Sequence, residues 1–509
     1  MSARFDAIVI GAGHNGLTAA AVLAGAGRRV LVLERAASIG GMLAPGSLDG
    51  VAVPRLAHLI YNVNPTVSRD LGLSLDLAPL PTVALSPDGR HVMTEGGAAR
   101  FADGSDHPDA AAFAALHARL LRFGTLLGQL SDQAPPDLSG GVRARAGDLT
   151  SLARLGLRLR LMGKEEMREF LRVILSNARD LILDEMPDGP LAGALAADAV
   201  RGAWAGPASP GTVFSLIYRL AQGGGAAMPR GGMSAVIDAF RQAAEERGAS
   251  IRTDAGVARI RLDGERVAGV VLDGGEEIAA PLVLSTAGAF ATMRMTGPAA
   301  FDIEAVRRLR HVRAKGTAAK VNLILSAAPK FPGLSPDQAS GRLLIAPSVA
   351  AVERAFNPVK YGEVSQAPVI EAVVPTLREP DPSGRHVVSA VVQYVPHGHL
   401  DAAPREALMG AVIRALDAHA PGLAASVTAS EVLTPSDIEA ATGAPGGHWH
   451  HGEMSIDQLL SVRPVNGMAH YAFGPEGLFL GGAGAHPGGD VTGAPGRNAA
   501  RTALKARAA

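Results

Sequence analysis

The spacing of apolar positions changes from segment to segment along this chain, and each change marks an element. Asp6-Ala-Ile-Val-Ile10 is a short unbroken apolar run that ends at glycine, as a strand buried on both faces of a parallel sheet does. Leu17 to Ala26 is rich in Ala and Leu and reads as a helix that Gly27 stops. Arg29-Val-Leu-Val-Leu33 is a second buried strand, ending in Glu34. Much later, Gly232 to Ala249 shows the period of an amphipathic helix. The runs Ser250-Ile-Arg-Thr, Val257 to Leu262, Val267 to Leu272 and Leu282-Val-Leu284 follow it as short strands, with a turn at Asp273-Gly-Gly-Glu276. Residues 107–220 are helix-prone, and residues 317–329 and 368–396 hold strand-like runs that predict an antiparallel sheet. Leu478-Phe-Leu480 is a last short strand, before a helix from about Gly496 to Arg507.

Length and composition narrow the class. At 509 residues the chain is long for one core, so two or more domains are expected, and 47% apolar with 19% charged residues is a globular balance. The 48 basic and 48 acidic residues cancel, so nucleic acid is not an expected partner. With no cysteine, a dithiol redox centre, a Cys-ligated metal and a cofactor tethered to Cys are excluded. The uncharged run from Ala7 to Gly27 has the length of a membrane span, but glycines at 11, 13 and 16 interrupt it and its first third reads as a strand. The expectation is a soluble cytoplasmic protein. A membrane-surface contact stays open through the mixed Leu and Arg of Leu152 to Leu161, against the alternative of a solvated helix packed on its own domain.

Between the first two strands lies Gly11-Ala-Gly13-His14-Asn15-Gly16. Strand, glycine turn, helix, strand and carboxylate therefore occur in the order of a dinucleotide-binding βαβ unit. Gly11 permits the tight turn, Gly13 lets backbone approach a pyrophosphate, and Gly16 lets helix and sheet pack closely. The helix start favours phosphate charge. Glu34, 23 residues beyond Gly11, is placed to accept from ribose hydroxyls and disfavours a 2′-phosphate. Gly40-Gly41 offers a further close approach to an extended cofactor, beside Arg35. These residues alone leave FAD and NAD open.

The C-terminal segment Gly481-Gly-Ala-Gly484-Ala-His486-Pro-Gly-Gly-Asp490-Val-Thr-Gly493-Ala-Pro-Gly496-Arg-Asn498 puts many glycines before a helix, so backbone passes close to something flat or bulky, unless the segment is a flexible surface loop. The segment resembles the closing motif of phytoene desaturase-related flavoproteins. The resemblance is nearest to the pyridine nucleotide-disulfide oxidoreductase domain-containing protein 2 family. It extends to Pro229-Arg-Gly-Gly-Met233, Gln393-Tyr-Val-Pro396, His451-Gly-Glu453, Asp457-Gln458 and Arg463-Pro464, but not to the stretch from about Ser86 to Ala221.

The resemblance implies an α/β fold, a discontinuous Rossmann-like FAD-binding domain of the glutathione-reductase/amine-oxidase type with an inserted α+β substrate domain. Residues 1–75, 226–298 and 465–509 would form the FAD-binding domain, and 76–225 and 299–464 the substrate domain. FAD would be bound non-covalently by Gly11, Gly13, His14, Asn15, Gly16, Glu34, Arg35, Gly40, Gly41, Val257, Gly484, Gly493 and Asn498. The sequence departs from the family at Asp490, where a third glycine is expected after Pro-Gly-Gly.

The chemistry expected is hydride removal from a largely apolar small molecule, isoprenoid- or carotenoid-like, by a dehydrogenase, desaturase or oxidase. Amine or alcohol oxidation, flavin-dependent isomerisation and a flavin-containing interaction protein are the alternatives. His486 and Asp490 flank the glycine loop as acid/base candidates, with a purely loop-stabilising role as the alternative. His58, Tyr61, His448, His450 and His451 are candidates for the substrate pocket. In an extended strand His448 and His450 share a face while His451 points away, which spoils a three-histidine metal site. No second strand–GxGxxG–helix unit is evident, so the electrons are expected to pass to oxygen or a quinone.

Overall fold

The computed structural model describes residues 5–135, 153, 156, 157 and 160–506. The Leu152 to Leu161 stretch therefore lies largely outside the described residues.

Near the N-terminus β1 (Ala7–Ile10), α1 (His14–Gly25) and β2 (Val30–Leu33) form the βαβ unit. The chain then enters an insert with strands β3 (Thr82–Ala84), β4 (Val92–Glu95) and β5 (Ala98–Phe101), and helices α2 (Ala110–Leu130), α3 (Pro190–Ala199) and α4 (Val213–Arg219). It returns through α5 (Gly232–Glu245), β6 (Ser250–Arg252), a meander of β7 (Val257–Asp263), β8 (Arg266–Leu272) and β9 (Glu277–Ala279), and β10 (Val283–Ser285). A second excursion carries β11 (Ala318–Leu325), β12 (Arg342–Ile345), β13 (Val369–Val373), β14 (His386–Gln393) and β15 (Val427–Leu433). The chain closes on β16 (Leu478–Leu480) and α6 (Ala494–Ala506).

Two sheets organise these elements. One is parallel, in the order β6-β2-β1-β10-β16, with Ile8 paired to both Leu31 and Val283, and Val283 to Leu478. All four residues of β1 and of β2 are buried, which explains their unbroken apolar runs. Helix α1 is apolar nearly all round because it is covered by α5 and α6 as well as by the sheet. The Ala7 to Gly27 run is thus a core strand and a core helix. A different helix has the membrane-like composition. Among the described residues α2 is long and apolar enough to cross a membrane by length and composition, and it buries Phe113, Leu116, Leu120 and Phe123 in the insert.

The other sheet runs β15-β11-β14-β13-β12-β3-β4-β5 and is antiparallel except where β12 meets β3. Strand alternation sorts its side chains. Ala319, Val321 and Leu323, with Ile370, Ala372, Val388, Ala390 and Val392, fill one apolar cluster. The intervening positions, including Lys320, Glu371, Ser389, Val391 and Gln393, occupy the opposite face. The register puts Val391 opposite both Lys320 and Glu371, so those two lie two strands apart, about 10 Å between backbones.

Candidate functional site

A cleft of about 1420 Å³, open mouth included, starts at the ends of β1 and β2 and is lined by Gly11, Gly13, His14, Asn15, Glu34, Arg35, Gly40, Gly41 and Val257. Gly11 has φ +96°, open to glycine at little cost, and its carbonyl oxygen lies 1.9 Å from where a side chain on Gly16 would begin. Helix α1 consequently starts against the sheet, with its free N–H groups at the cleft. Both Glu34 oxygens accept from loop N–H groups, Ala12 at 2.8 Å and Ala36 at 3.0 Å, which fixes the carboxylate at the cleft wall.

Farther along, the cleft is walled by Met42, Thr286, Ala441 to Ala444, Trp449, His451 and Ala483. His14 Nε2, Asn15 Oδ1, Trp449 Nε1 and His451 Nδ1 are buried there without a hydrogen-bond partner among the described residues. Buried polar groups are nearly always paired, so this row of orphans fits a bound polar molecule as long as the cleft. A nucleotide with diphosphate and a flat ring system meets that description: acid at one end, helix N-terminus in the middle, aromatic and imidazole groups at the other. Burial holds the His14 imidazole down to about 4 and His451 to about 3, so both are neutral at physiological pH.

At His14, Met42 and Trp449 the cleft adjoins a second chamber of about 790 Å³, which these three residues also line. Its walls are largely apolar, from Leu43, Leu56, Leu59, Val391 and Ile438. Tyr61, Arg201, Lys320 and Asp490 add polar groups. Tyr61, Arg201 and Asp490 also line a third space of about 480 Å³ with Tyr218, His448 and His450. Asp198 and Arg219, paired at 2.9 Å, form the wall between that space and a pocket of about 830 Å³ beside Glu95, Gly96, Gly223 and Gly225, all at the surface.

A buried ionic network stands behind the chamber. Glu371 accepts from His58 Nε2 at 3.0 Å, Tyr61 Oη at 2.7 Å, Arg201 Nη2 at 3.1 Å and Arg342 Nε at 2.8 Å. Asp198 pairs with Arg342 and with Arg219. The guanidinium carbons of Arg201, Arg219 and Arg342 lie 4.6, 4.2 and 5.6 Å from the Tyr61 ring centre, and Trp449 stacks on Arg201 at 5.0 Å. Burial raises the Tyr61 hydroxyl to about 12, so it stays a proton donor to Glu371.

The sequence-predicted residues separate into groups. Gly11, Gly13, His14, Asn15, Glu34, Arg35, Gly40, Gly41, Val257 and His451 line the cleft, and Gly16 packs behind it. Tyr61, His448, His450 and Asp490 line the chambers, whereas His58 sits behind them, held by Glu371 and the Ser389 carbonyl. His448 to His451 form a turn, not a strand, yet His448 and His450 still part from His451, which belongs to the cleft.

The closing motif requires corrections. Gly493 packs against Thr18 and Val67, and Asn498 donates to the Ser131 carbonyl at 2.8 Å and Tyr471 at 3.1 Å, so both anchor α6 and neither lines the cleft. Gly484 lies against His451, one step behind the wall that Ala483 provides. His486 faces the Leu130 carbonyl at 3.1 Å and lines none of these cavities, so only Asp490 of the two acid/base candidates reaches a chamber. Asp490 has φ +63°, which accounts for the glycine expected at that position. Arg201, Lys320 and Glu371 escaped the sequence reading, which met Trp449 and Arg463 only inside motifs and gave neither a role. Arg463 is fully buried and donates to the carbonyls of His450, Glu453 and Ala483, tying the histidine turn to the glycine loop.

His486 is held near pKa 4, chiefly by burial, and is neutral in the folded protein. An unfolded imidazole takes a proton near pH 6.5, so the stability this group contributes is retained above that pH and falls from about pH 6.5 to pH 4, by up to ~1.4 kcal/mol per pH unit. Urea denaturation at pH 5 and pH 7.5 is expected to show a clearly lower midpoint at pH 5; equal midpoints would contradict the assignment.

The sequence pattern of the family "Flavin containing amine oxidoreductase" matches residues 16–504. The rat (Rattus norvegicus) pyridine nucleotide-disulfide oxidoreductase domain-containing protein 2 is 33% identical over 99% of this chain and 94% of its own length. A lycopene-forming phytoene desaturase from a Paracoccus strain is 27% identical over 57% of each chain. The solved structure of wild-type putrescine oxidase bound to putrescine covers both chains fully, with TM-score 0.62 and 15% identity, a likeness of fold. The cleft's acid, helix N-terminus and unpaired polar atoms fit such a cofactor, and the chain belongs to the flavin containing amine oxidoreductase family as an FAD-dependent oxidoreductase.

Proposed function

We propose that this protein removes hydride from a largely apolar small molecule seated in the 790 Å³ chamber, as a dehydrogenase, desaturase or oxidase. The observation that carries the reading is the junction at His14, Met42 and Trp449, where the FAD cleft adjoins a chamber walled by Leu, Val, Ile and Met side chains. FAD supplies the two-electron acceptance when bound. The chain's own residues position the substrate, exclude water and take up the proton. Asp490 is the proton acceptor: it lines both chambers, and Asn62 fixes its Oδ2 at 2.8 Å while Oδ1 stays without a hydrogen-bond partner among the described residues. The electrons leave to oxygen or a quinone.

The test is anaerobic bleaching of the flavin absorbance of purified holoenzyme across a panel of isoprenoids, alcohols, amines and acids. Bleaching by at least one compound is expected, and none across the panel would reject the reading. Asp490→Asn keeps a side chain tolerant of positive φ and removes the charge. It is expected to slow bleaching roughly 100-fold with FAD content unchanged. Amine oxidation is the second reading, favoured by the Asp490 carboxylate as a partner for an ammonium group. Release of ammonia together with peroxide in air would select it.

A further inference from the structure

The 480 Å³ compartment shares Tyr61, Arg201 and Asp490 with the apolar substrate chamber, and its own lining is charged but balanced. Asp198 and Asp490 stand against Arg201 and Arg219. Asp198 and Arg219 are paired at 2.9 Å. Asp490 and Arg201 are each held from elsewhere, Asp490 through Oδ2 by Asn62 and Arg201 through Nε and Nη2 by Glu371. Asp490 Oδ1 and Arg201 Nη1 are therefore left without a hydrogen bond among the described residues, and no ion pair within 4.0 Å joins the two side chains. Burial opposes the Arg201 charge, but the carboxylates of Glu371 and Asp490 outweigh it, so the guanidinium stays protonated.

His450 adds a neutral group to the same space. A side chain on Gly489 would begin 2.0 Å from its Nδ1, which has no partner, so the open ring nitrogen is Nε2. A bare lone pair against backbone costs less than a stranded N–H, which puts the ring proton on Nε2. Burial keeps the imidazole uncharged.

Two opposite charges that face one buried space without touching require a bridge. A hydroxyl supplies it with a single oxygen: its O–H donates to Asp490 Oδ1, and its lone pairs accept from Arg201 Nη1 or His450 Nε2. Ions fit badly. A carboxylate meets Asp490, and an ammonium meets Arg201 and Arg219, where repulsion is weakly screened. A hydrocarbon leaves both charges unpartnered. An alcohol replaces a bridging water bond for bond, and its apolar body gains burial besides. Lys320 lines the apolar chamber alone, so none of these contacts involves it.

We propose that the substrate is a largely apolar alcohol, its hydroxyl held between Asp490 and Arg201 and its body lying along Leu56, Leu59, Val391 and Ile438. The proton that Asp490 takes up is then the hydroxyl's. The adjoining C–H bond gives up its hydrogen with both electrons, and the alcohol becomes a carbonyl compound. This names the substrate class of the reading above and rests on it for the oxidation, with FAD as the electron acceptor. The hydroxyl contacts stand on the compartment alone.

Hexanol, decanol and geraniol, each with its hydrocarbon, methyl ether, amine and carboxylate counterparts, are titrated by calorimetry into dithionite-reduced holoenzyme, which binds without turnover. At least one alcohol is expected to bind about tenfold or more tightly than its four counterparts, as hydrogen bonds to charged groups provide. Asp490→Gly suits the positive φ at this position, removes the acceptor and leaves Arg201 unbalanced. It is expected to keep its FAD, to lose about tenfold in alcohol affinity and to gain in carboxylate affinity, which reverses the preference. Asp490→Asn keeps an acceptor oxygen and is expected to lose less. Equal affinity for alcohol and hydrocarbon, a wild-type preference for amine or carboxylate, or unchanged alcohol affinity in Asp490→Gly would each overturn the proposal. Oxidised holoenzyme is scored separately for flavin bleaching, with the product identified by mass. A carbonyl product is expected, and a product that keeps its hydroxyl and gains a C=C bond would overturn the hydroxyl as the proton source. Alcohol selectivity without bleaching by any compound would reject the oxidoreductase reading alone, whereas bleaching by hydrocarbons or amines without alcohol selectivity would reject the alcohol alone.

Discussion

Replacing Glu371 by alanine is expected to lower folding stability by about 3–5 kcal/mol, the largest loss for any single side chain in the ionic network. The carboxylate is 5% exposed and accepts from His58, Tyr61, Arg201 and Arg342. Despite the upward push of its burial, the Arg201 and Arg342 guanidiniums and the His58 hydrogen bond hold it well below the ordinary carboxylate range, so it carries a full charge. Its removal leaves Arg201 without a carboxylate hydrogen bond and Arg342 dependent on Asp198. Tyr61 then loses the acceptor for a hydroxyl buried away from water. Glu371→Gln keeps the volume and some of the hydrogen bonds and is expected to lose less. Urea denaturation of the holoenzyme reads both variants, and a loss below about 1 kcal/mol for Glu371→Ala would mean that the network relaxes around the gap.

Gly16→Ala is expected to weaken FAD binding roughly 5–150-fold, the equivalent of the ~1–3 kcal/mol that an extra methyl costs in a filled space. The added Cβ meets the Gly11 carbonyl oxygen at 1.9 Å, a backbone atom that cannot rotate away. Helix α1 must shift as a body, which moves its N–H groups and disturbs Asn15, whose carbonyl oxygen lies 1.9 Å from a side chain built on Gly496 of α6. Gly13 separates the two roles of these glycines. A Cβ there meets protein no closer than the Gly40 carbonyl oxygen at 3.9 Å, so Gly13→Ala is expected to fold normally and still lose FAD, because the methyl projects where the cofactor runs. FAD titration of the apoproteins, with urea midpoints alongside, distinguishes the three chains.

How much of this was legible in the sequence depended on whether the physical rule was local. The βαβ unit is specified within a few dozen residues, so Gly11, Gly13, Gly16 and Glu34 could be placed from spacing alone. Asp490, read from the closing motif, and Tyr61, a substrate-pocket candidate, both line the chambers. His486, Gly493 and Asn498 belong to the same glycine-rich segment, yet they turn away from the cleft, because a loop has no fixed period from which to read direction. Arg201 comes from the helical insert and Lys320 and Glu371 from two strands of the antiparallel sheet, so they meet only when insert and sheet assemble. Their trace in the sequence is a lone charge inside an apolar strand, as in Val369-Ile-Glu371-Ala-Val373 and Ala318-Ala-Lys320-Val321. A fully buried strand cannot leave such a charge unanswered.

The parallel sheet is stitched from distant parts of the chain, since β1 pairs with β10 on one side and β10 in turn with β16. On a ribosome adding ~5–20 residues per second, on the order of half a minute to a minute and a half separates the emergence of β1 from that of β16. Through that interval α1 lacks the covering that α6 provides, and for the last ~10–40 s of it, once β10 has emerged, the outer edge of β10 has no strand to pair with. The nascent chain thus spends most of its synthesis with a partly uncovered apolar helix, joined late by a bare sheet edge, for chaperones to shield.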